Sequence, residues 1–197
     1  MLNYLATSLP SGTGAPARLL ALQCVLRTSA SGHVRLPAGL LRGMRLPRGL
    51  ALWQELEDTR WLRLQPSNAP KKHGGAVAAQ ILDDLTAIAA RHERTRAAGW
   101  ALQVACSRHL RGLDATGRLA AITLASYTAT EHLGRWDGEQ LLHICGLTTQ
   151  NRLDQLLHAL TTAGFLSSWA PARDGDICWR LSDRPPEQSA KILGVTP

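Results

Sequence analysis

Apolar and polar positions follow the same order twice along the chain, about a hundred residues apart. The first copy begins at Arg18 and ends near Leu82, and the second begins at Arg118 and ends near Leu181. Two intervals have equal lengths in both copies: Leu40 to Leu46 and Leu141 to Leu147, then Leu56 to Trp61 and Leu160 to Phe165. So long a period predicts two copies of a small domain, since solenoid repeats are much shorter. A chance agreement of apolar spacings is the alternative.

In the first copy, apolar residues at helical spacing predict three helices followed by a β-hairpin. Glycine, proline and serine in residues 1–17 indicate an irregular arm before the first helix. The next two helices are expected over residues 37–44 and 47–58. Alternating residues 61–65 predict a strand that pairs with a return strand over residues 76–82.

The second copy repeats this order with clearer helix boundaries. The residues expected at its helix ends are, in chain order, Asp114, Asp137, Gly146, Thr148 or Thr149, and Gly164. The first of these helices is predicted over residues 116–130. Strands are expected over residues 165–169 and 177–181, followed by a loosely ordered tail.

The stretch between the copies is helix-like, with a bend expected at Gly99. Its candidate buried positions are Leu85, Ile88, Ala89, Trp100, Val104 and Leu110. A packed connector and a dimerisation element explain this pattern equally well. The predicted organisation is an arm (1–17), a first domain (18–84), a helical connector (85–117), a second domain (118–183) and a tail (184–197).

Composition favours a helix-rich soluble protein, because 45% of the residues are apolar and few are aromatic. The N-terminus lacks the pattern of a signal peptide, and no apolar run approaches the ~20 residues that a membrane helix needs. We therefore expect a cytoplasmic protein that does not bind membranes. The four cysteines form no C-x-x-C pair, which predicts buried reduced thiols instead of a zinc site or disulfides: Cys24, Cys106, Cys145 and Cys178.

The formal net charge of +7 makes a polyanion such as nucleic acid the leading partner class. This excess of positive charge is unevenly distributed along the chain. Residues 1–84 carry ten Lys and Arg against five Asp and Glu, residues 85–117 carry five against two, and residues 118–197 carry seven against eight. The first copy and the connector therefore hold the basic excess.

The segment from Asp137 to Leu166 resembles the helix-turn-helix and first strand of a winged-helix domain. The resemblance rests on its leucines, the turn at Gly146, the polar residues 148–152 and the ending Ala163-Gly164-Phe165-Leu166. In the first copy, residues 47–49 replace the polar start, so the resemblance there is weaker. It implies a mainly α protein with small β-hairpins (α+β), built of two winged-helix domains joined by a helical connector. It also implies that the second motif helix faces the DNA major groove.

Polar residues at a helix start can direct hydrogen bonds at base edges. Gln150 and Asn151 suit adenine, while Arg152 suits guanine or a phosphate. The full candidate DNA-binding set is Arg42, Arg45, Arg48, Lys71, Lys72, His73, Thr149, Gln150, Asn151, Arg152 and Arg173. Three carboxylates of the second copy would face the phosphates in the usual docking: Asp154, Asp174 and Asp176. The first copy is therefore expected to supply backbone affinity, and the second either reads bases or forms a protein or dimer contact.

Catalysis finds no support, because the chain has neither an H-E-x-x-H motif nor a phosphate-binding glycine loop. Asp83 and Asp84 suit a helix N-cap better than a metal site. We expect a non-enzymatic protein without cofactor or metal that binds double-stranded DNA in the nucleoid as a sequence-specific transcriptional regulator, with a homodimer left open. The alternatives are a plasmid-type replication initiator that binds origin repeats and a winged-helix scaffold for protein interactions.

Overall fold

The computed structural model of the protein describes residues 1–47, 50–65, 76–82, 90–129 and 131–183. Over these ranges the chain forms α-helices and two small three-stranded antiparallel sheets, so it is an α+β protein. None of the helices found in these ranges is both long enough and apolar enough to cross a membrane.

The chain has a first half, residues 1–82, and a second half, residues 115–183, whose elements follow the same order after α1. The first half contains α1 (Leu2–Ser8), α2 (Ala15–Arg27), β1 (His33–Leu36), α3 (Ala38–Gly43), α4 (Ala51–Asp58), β2 (Leu62–Leu64) and β3 (Val77–Ile81). Between the halves lie α5 (Arg91–Ala105) and a 3-10 helix (Arg108–Leu110). The second half contains α6 (Ala115–Ser126), β4 (Leu133–Asp137), α7 (Gly138–Cys145), α8 (Gln150–Thr162), β5 (Leu166–Pro171) and β6 (Asp176–Leu181). From α2 and from α6 onward, each half runs helix, strand, two helices, two strands.

The two sheets also share their topology. Each places its last strand in the middle, in the orders β1-β3-β2 and β4-β6-β5, with antiparallel neighbours. His33 lies opposite Gln80, and Leu133 lies opposite Arg180, so the register is the same after a shift of one hundred residues. A slip of one residue would turn every side chain to the other face of a sheet. The two sheets therefore present equivalent positions on equivalent faces.

Three left-handed backbone positions match between the halves as well. They pair Gly32 (φ 77°) with His132 (φ 64°), Arg45 (φ 52°) with Gly146 (φ 66°), and Arg60 (φ 56°) with Gly164 (φ 74°). Equivalent hydrogen bonds surround them; for example, the Arg60 amide donates to the Glu57 carbonyl at 2.8 Å and the Gly164 amide to the Thr161 carbonyl at 2.9 Å. The halves thus share a backbone path even where their residues differ.

One continuous hydrophobic core spans both halves. Helices α2, α5 and α6 pack against one another at its centre, and they bury side chains such as Leu20, Trp100 and Ile122. Of the predicted connector positions, Trp100, Val104 and Leu110 are buried, while Leu85, Ile88 and Ala89 lie outside the described residues. Helix α5 runs without interruption through Gly99, where the sequence suggests a bend.

The expectation of an irregular arm is wrong for the N-terminus. Residues 2–8 form α1, which buries Leu2, Leu5 and Ala6 against the rest of the core and packs on α7. A helix this short is marginal by itself in water, so its stability comes from that burial. The next helix begins at Ala15, with Pro16 in its first turn, where the missing amide proton costs nothing.

Local capping signals placed several boundaries of the second half correctly. Asp114 accepts a hydrogen bond from the Gly117 amide at 2.9 Å, and Asp137 accepts one from the Glu139 amide at 2.7 Å. Gly146 ends α7 in the left-handed conformation, as the sequence predicted. Thr149 occupies the N-cap position of α8, but its side chain makes no capping hydrogen bond.

Other boundaries differ from the prediction. Helix α6 ends at Ser126, not near residue 130, and α4 begins at Ala51 and not at Pro47. Strands β1 and β4 were not predicted, because each is only four or five residues long and pairs with a strand about forty residues away. The turn at residues 66–75, the capping pair Asp83-Asp84 and the tail lie outside the described residues.

The prediction of buried thiols is confirmed for Cys24 and Cys145. Burial raises the pKa of both, that of Cys145 to about 12. Cys178 is half-buried, and Cys106 is exposed, which contradicts the prediction for that residue. All four cysteines are free thiols.

Candidate nucleic-acid interface

Helix α8 is held against the core by one apolar face. Leu153, Leu157 and Leu160 are fully buried at helical spacing, and they fix the rotation of the helix about its axis. The opposite face, which includes Gln155 and His158, is exposed. A helix fixed in this way presents its polar first turn to solvent in one defined direction.

The first turn of α8 contains one engaged and two free polar side chains. Gln150 donates from Nε2 to Asp154 Oδ1 at 2.9 Å, so part of its hydrogen-bonding capacity is used within the helix. Asn151 and Arg152 are exposed, and neither forms a side-chain hydrogen bond or ion pair within the part of the chain that the structure describes. These two side chains are the ones available to a partner, with the exposed Thr149 beside them.

The β5–β6 hairpin carries a balanced set of charges at its tip. Arg173 is exposed in the turn, and the Ala172 amide closes that turn by donating to the Asp176 carbonyl at 2.8 Å. Arg135 of β4 donates to Asp176 Oδ2 at 2.6 Å and also bonds Asp174. The hydrogen bond to Asp176 raises the pKa of Arg135. Both hairpin carboxylates that would repel phosphates are therefore paired with a guanidinium.

Helix α4 is the counterpart of α8, but its charged side chains are acidic. Its described polar side chains include Glu55 and Glu57, which accept hydrogen bonds from the Gly14 amide at 2.8 Å and the Leu64 amide at 2.9 Å. Asp58 is exposed at its end, and no Lys or Arg lies within the helix. This helix is therefore unsuited to a close approach to phosphates.

The structure describes only part of the predicted basic cluster of the first half. Arg42 is exposed in the last turn of α3. Arg45 instead turns toward the connector, where its Nη1 donates to the Arg111 carbonyl at 2.6 Å. The remaining members, Arg48, Lys71, Lys72 and His73, lie outside the described residues.

Two exposed arginines on the first sheet were missed by the sequence reasoning. Arg35 of β1 and Arg63 of β2 lie on either side of β3, opposite Ala78 and Gln80 respectively. The alternating polar and apolar residues His-Val-Arg-Leu at 33–36 are the sequence signal that would have placed Arg35 on an outer face. Arg35 and Arg135 occupy the same register position in their sheets.

The chain was compared with known proteins in three ways. No protein-family model matches it, no curated protein matches it, and no solved structure matches it. Across the described ranges, no group of three His, Cys, Asp or Glu side chains is arranged to hold a metal ion.

Proposed function

We propose that the protein binds double-stranded DNA and acts as a sequence-specific transcriptional regulator, using each half in the manner of a winged-helix domain. The observation that carries the proposal is the pair Asn151 and Arg152 at the start of a helix fixed by buried leucines, both exposed and without a side-chain partner among the described residues. Asparagine suits the paired donor and acceptor of adenine, and arginine suits guanine or a phosphate.

The order of the helices and strands supports the winged-helix interpretation. In the second half, α7 and α8 are joined by a turn through Gly146, and the β5–β6 hairpin follows α8 directly. The exposed Arg173 at the hairpin turn suits a backbone phosphate beside the groove that α8 would enter. The pairing of Arg135 with Asp174 and Asp176 lowers the repulsion that two free carboxylates would cause.

The two halves would contribute differently. The carboxylates of α4 make it a poor base reader, whereas Arg35, Arg42 and Arg63 offer exposed positive charge in the same half. Phosphate contacts of this kind give affinity that falls steeply with salt but carry no sequence information directly. The first half would therefore supply backbone affinity, and the second would read the sequence.

Selection of binding sites from random duplex DNA tests the proposal, followed by binding measurements across a salt series. Replacing Asn151 and Arg152 by Ala is expected to change the preferred sequence and to cost about tenfold or more in affinity for the selected site. Thr162→Ala, at the exposed far end of the same helix, is the matched control and is expected to leave both unchanged.

The same experiment separates the alternatives. An isolated palindromic site supports a regulator, whereas tandem direct repeats favour a replication initiator. Absence of binding even at low salt would overturn the DNA proposal and favour a protein-interaction scaffold.

A further inference from the structure

A cavity of about 350 Å³ lies where the end of α3 meets the segment that joins α5 to α6. It is lined by Gly43, Arg45, Ala105, Cys106, Ser107, Leu110, Arg111 and Arg118. It therefore lies at the junction of the first half with the connector and the second half. A volume of this size is adequate for a small ligand such as a phosphate ester.

Three arginines line this cavity, and no Asp or Glu appears among its described lining residues. Arg118 is only 5% exposed, yet its guanidinium makes a single hydrogen bond within the described ranges, from Nη1 to the Met44 carbonyl at 3.2 Å. A guanidinium has five N–H donors, so four remain for another acceptor. The Ser107 hydroxyl oxygen is buried and has no hydrogen-bond partner in the part of the chain that the structure describes.

The charge of Arg118 is poorly compensated. Burial lowers its pKa, and the positive charge of Arg45 lowers it further, while Cys106 and Asp114 act weakly in the opposite direction. The Asp114 carboxylate is itself engaged at the start of α6, where it accepts from the Gly117 amide at 2.9 Å. Guanidinium groups brought together in this way favour an anion that shares its oxygens among them.

The repeat provides an internal comparison, because the cavity has an equivalent place elsewhere in the fold. The counterpart of Arg118 is Arg18, which donates from Nε to the Thr13 carbonyl and from Nη2 to the Pro10 carbonyl, both at 2.9 Å. The counterpart of Arg45 is Gly146, and Ser11 stands one hundred residues before Arg111. The equivalent place in the fold thus has one arginine, satisfied by carbonyls, where the cavity has three.

The backbone of Arg45 is also in a strained conformation. It has a left-handed φ of 52°, which glycine adopts readily and an arginine does not. Its counterpart Gly146 shows that the turn itself does not require a side chain. Backbone strain of this kind is concentrated at functional sites, although Arg60 and His132 share it outside the cavity.

We propose that this cavity is a binding site for a phosphate group, taken from solution as inorganic phosphate or as a small phosphate monoester. Arg45, Arg111 and Arg118 hold the phosphate oxygens, with the Ser107 hydroxyl as a further donor. This site is distinct from the first turn of α8, and its occupancy does not depend on DNA binding. Because both halves and the connector meet at the cavity, a bound phosphate stabilises their packing by mass action.

Titration calorimetry of the full chain with inorganic phosphate, without DNA, tests the proposal. We expect saturable binding and an unfolding temperature that rises with phosphate concentration. Arg45→Gly and Arg111→Ser install the residues of the equivalent place in the fold, Gly146 and Ser11, and each is expected to weaken phosphate binding about tenfold or more. Arg91→Ser removes an exposed arginine from the start of α5, outside both proposed sites, as the matched control and is expected to leave binding unchanged.

Folding does not confound this test, because glycine suits the backbone at position 45 and Arg111 is exposed. Absence of saturable phosphate binding overturns the proposal. Binding that survives both cavity substitutions, or that Arg91→Ser weakens equally, overturns it as well, since it would report general ionic attraction. If phosphate fails to bind but Arg45→Gly weakens binding of duplex DNA, the cavity takes a DNA phosphate and the small-ligand proposal is wrong.

Discussion

Arg18 and Arg118 occupy equivalent positions on α2 and α6, and each lies against the end of a helix in the opposite half. Arg118 donates to the carbonyl of Met44, which follows α3. Arg18 lies beside Gly146, which follows α7, where an added Cβ would come within 3.3 Å of Arg18 Nε. Such reciprocal contacts define the isologous interface of a two-fold dimer. Here both partners belong to one chain.

A second pair of contacts obeys the same reciprocity. His143 Nε2 lies 2.8 Å from the Ala6 carbonyl, and the Cys106 thiol donates to the Gly43 carbonyl at 3.0 Å. This reciprocity holds to within one residue, because Ala6 stands one hundred residues before Cys106 and Gly43 follows Arg42, the counterpart of His143. The two copies are therefore joined through a dimer-like interface in addition to the connector, and α5 packs on both α2 and α6 within that assembly.

The first prediction concerns the two buried arginines. Arg18→Met is expected to lower the free energy of unfolding by about 2 kcal/mol or more, because two carbonyls lose their donor at nearly constant side-chain volume. Arg118→Met removes one such bond and is expected to cost about 1 kcal/mol. Urea unfolding measures both, with exposed Arg63→Met as the control. An equal loss in all three variants would contradict the assigned roles.

The second prediction concerns a strained turn. Arg60 has a left-handed φ, and its counterpart is Gly164. Arg60→Gly is expected to stabilise the protein by up to about 1 kcal/mol, since it relieves a side chain held in that conformation. Gly164→Ala is expected to destabilise it by a similar amount. Thermal unfolding measures both changes, and a loss of stability in Arg60→Gly would show that its side chain makes a compensating contact.

The third prediction concerns one pair of facing residues whose side-chain sizes differ between the two sheets. Gly134 lies opposite Trp179, whereas their counterparts Val34 and Ala79 lie opposite each other in the first sheet. A Cβ on Gly134 would overlap the Trp179 ring, so Gly134→Val is expected to destabilise the protein by about 3 kcal/mol.

Adding Trp179→Ala to Gly134→Val copies the arrangement of the first sheet. The double variant is expected to be more stable than the sum of the two single changes predicts, with a coupling of about 1 kcal/mol or more in a double-mutant cycle. Strict additivity in urea unfolding would mean that the two sheets do not pack equivalently.

The fourth prediction concerns charge at the hairpin. Asp174→Asn removes a carboxylate next to the exposed Arg173 and frees part of the Arg135 guanidinium. DNA affinity is therefore expected to increase severalfold, with about one more counterion released on binding and a correspondingly steeper dependence on salt. Fluorescence anisotropy across a salt series measures both quantities. Asp183→Asn, at the far end of β6 and likewise ion-paired, is the control. Unchanged binding in Asp174→Asn would remove this hairpin from the proposed interface.

Several features of the fold could be predicted because their causes are local. A carboxylate at the start of a helix satisfies free amides wherever the helix lies, so Asp114 and Asp137 identified helix starts from sequence alone. Gly146 likewise marked the end of α7. Part of the candidate site could also be predicted from the sequence. The first turn of α8 was expected to be polar and accessible, and Asn151 and Arg152 are exposed there.

The repeat itself was visible in the sequence, because equal spacing of buried residues is needed to build the same helices and sheet twice. What only the tertiary structure decided is how the copies meet. Helix α1 forms because it packs on α7, β1 and β4 form because distant strands pair with them, and Arg45 turns to the Arg111 carbonyl and away from the first half's surface. Each depends on residues far apart in the chain, whose proximity no local pattern encodes.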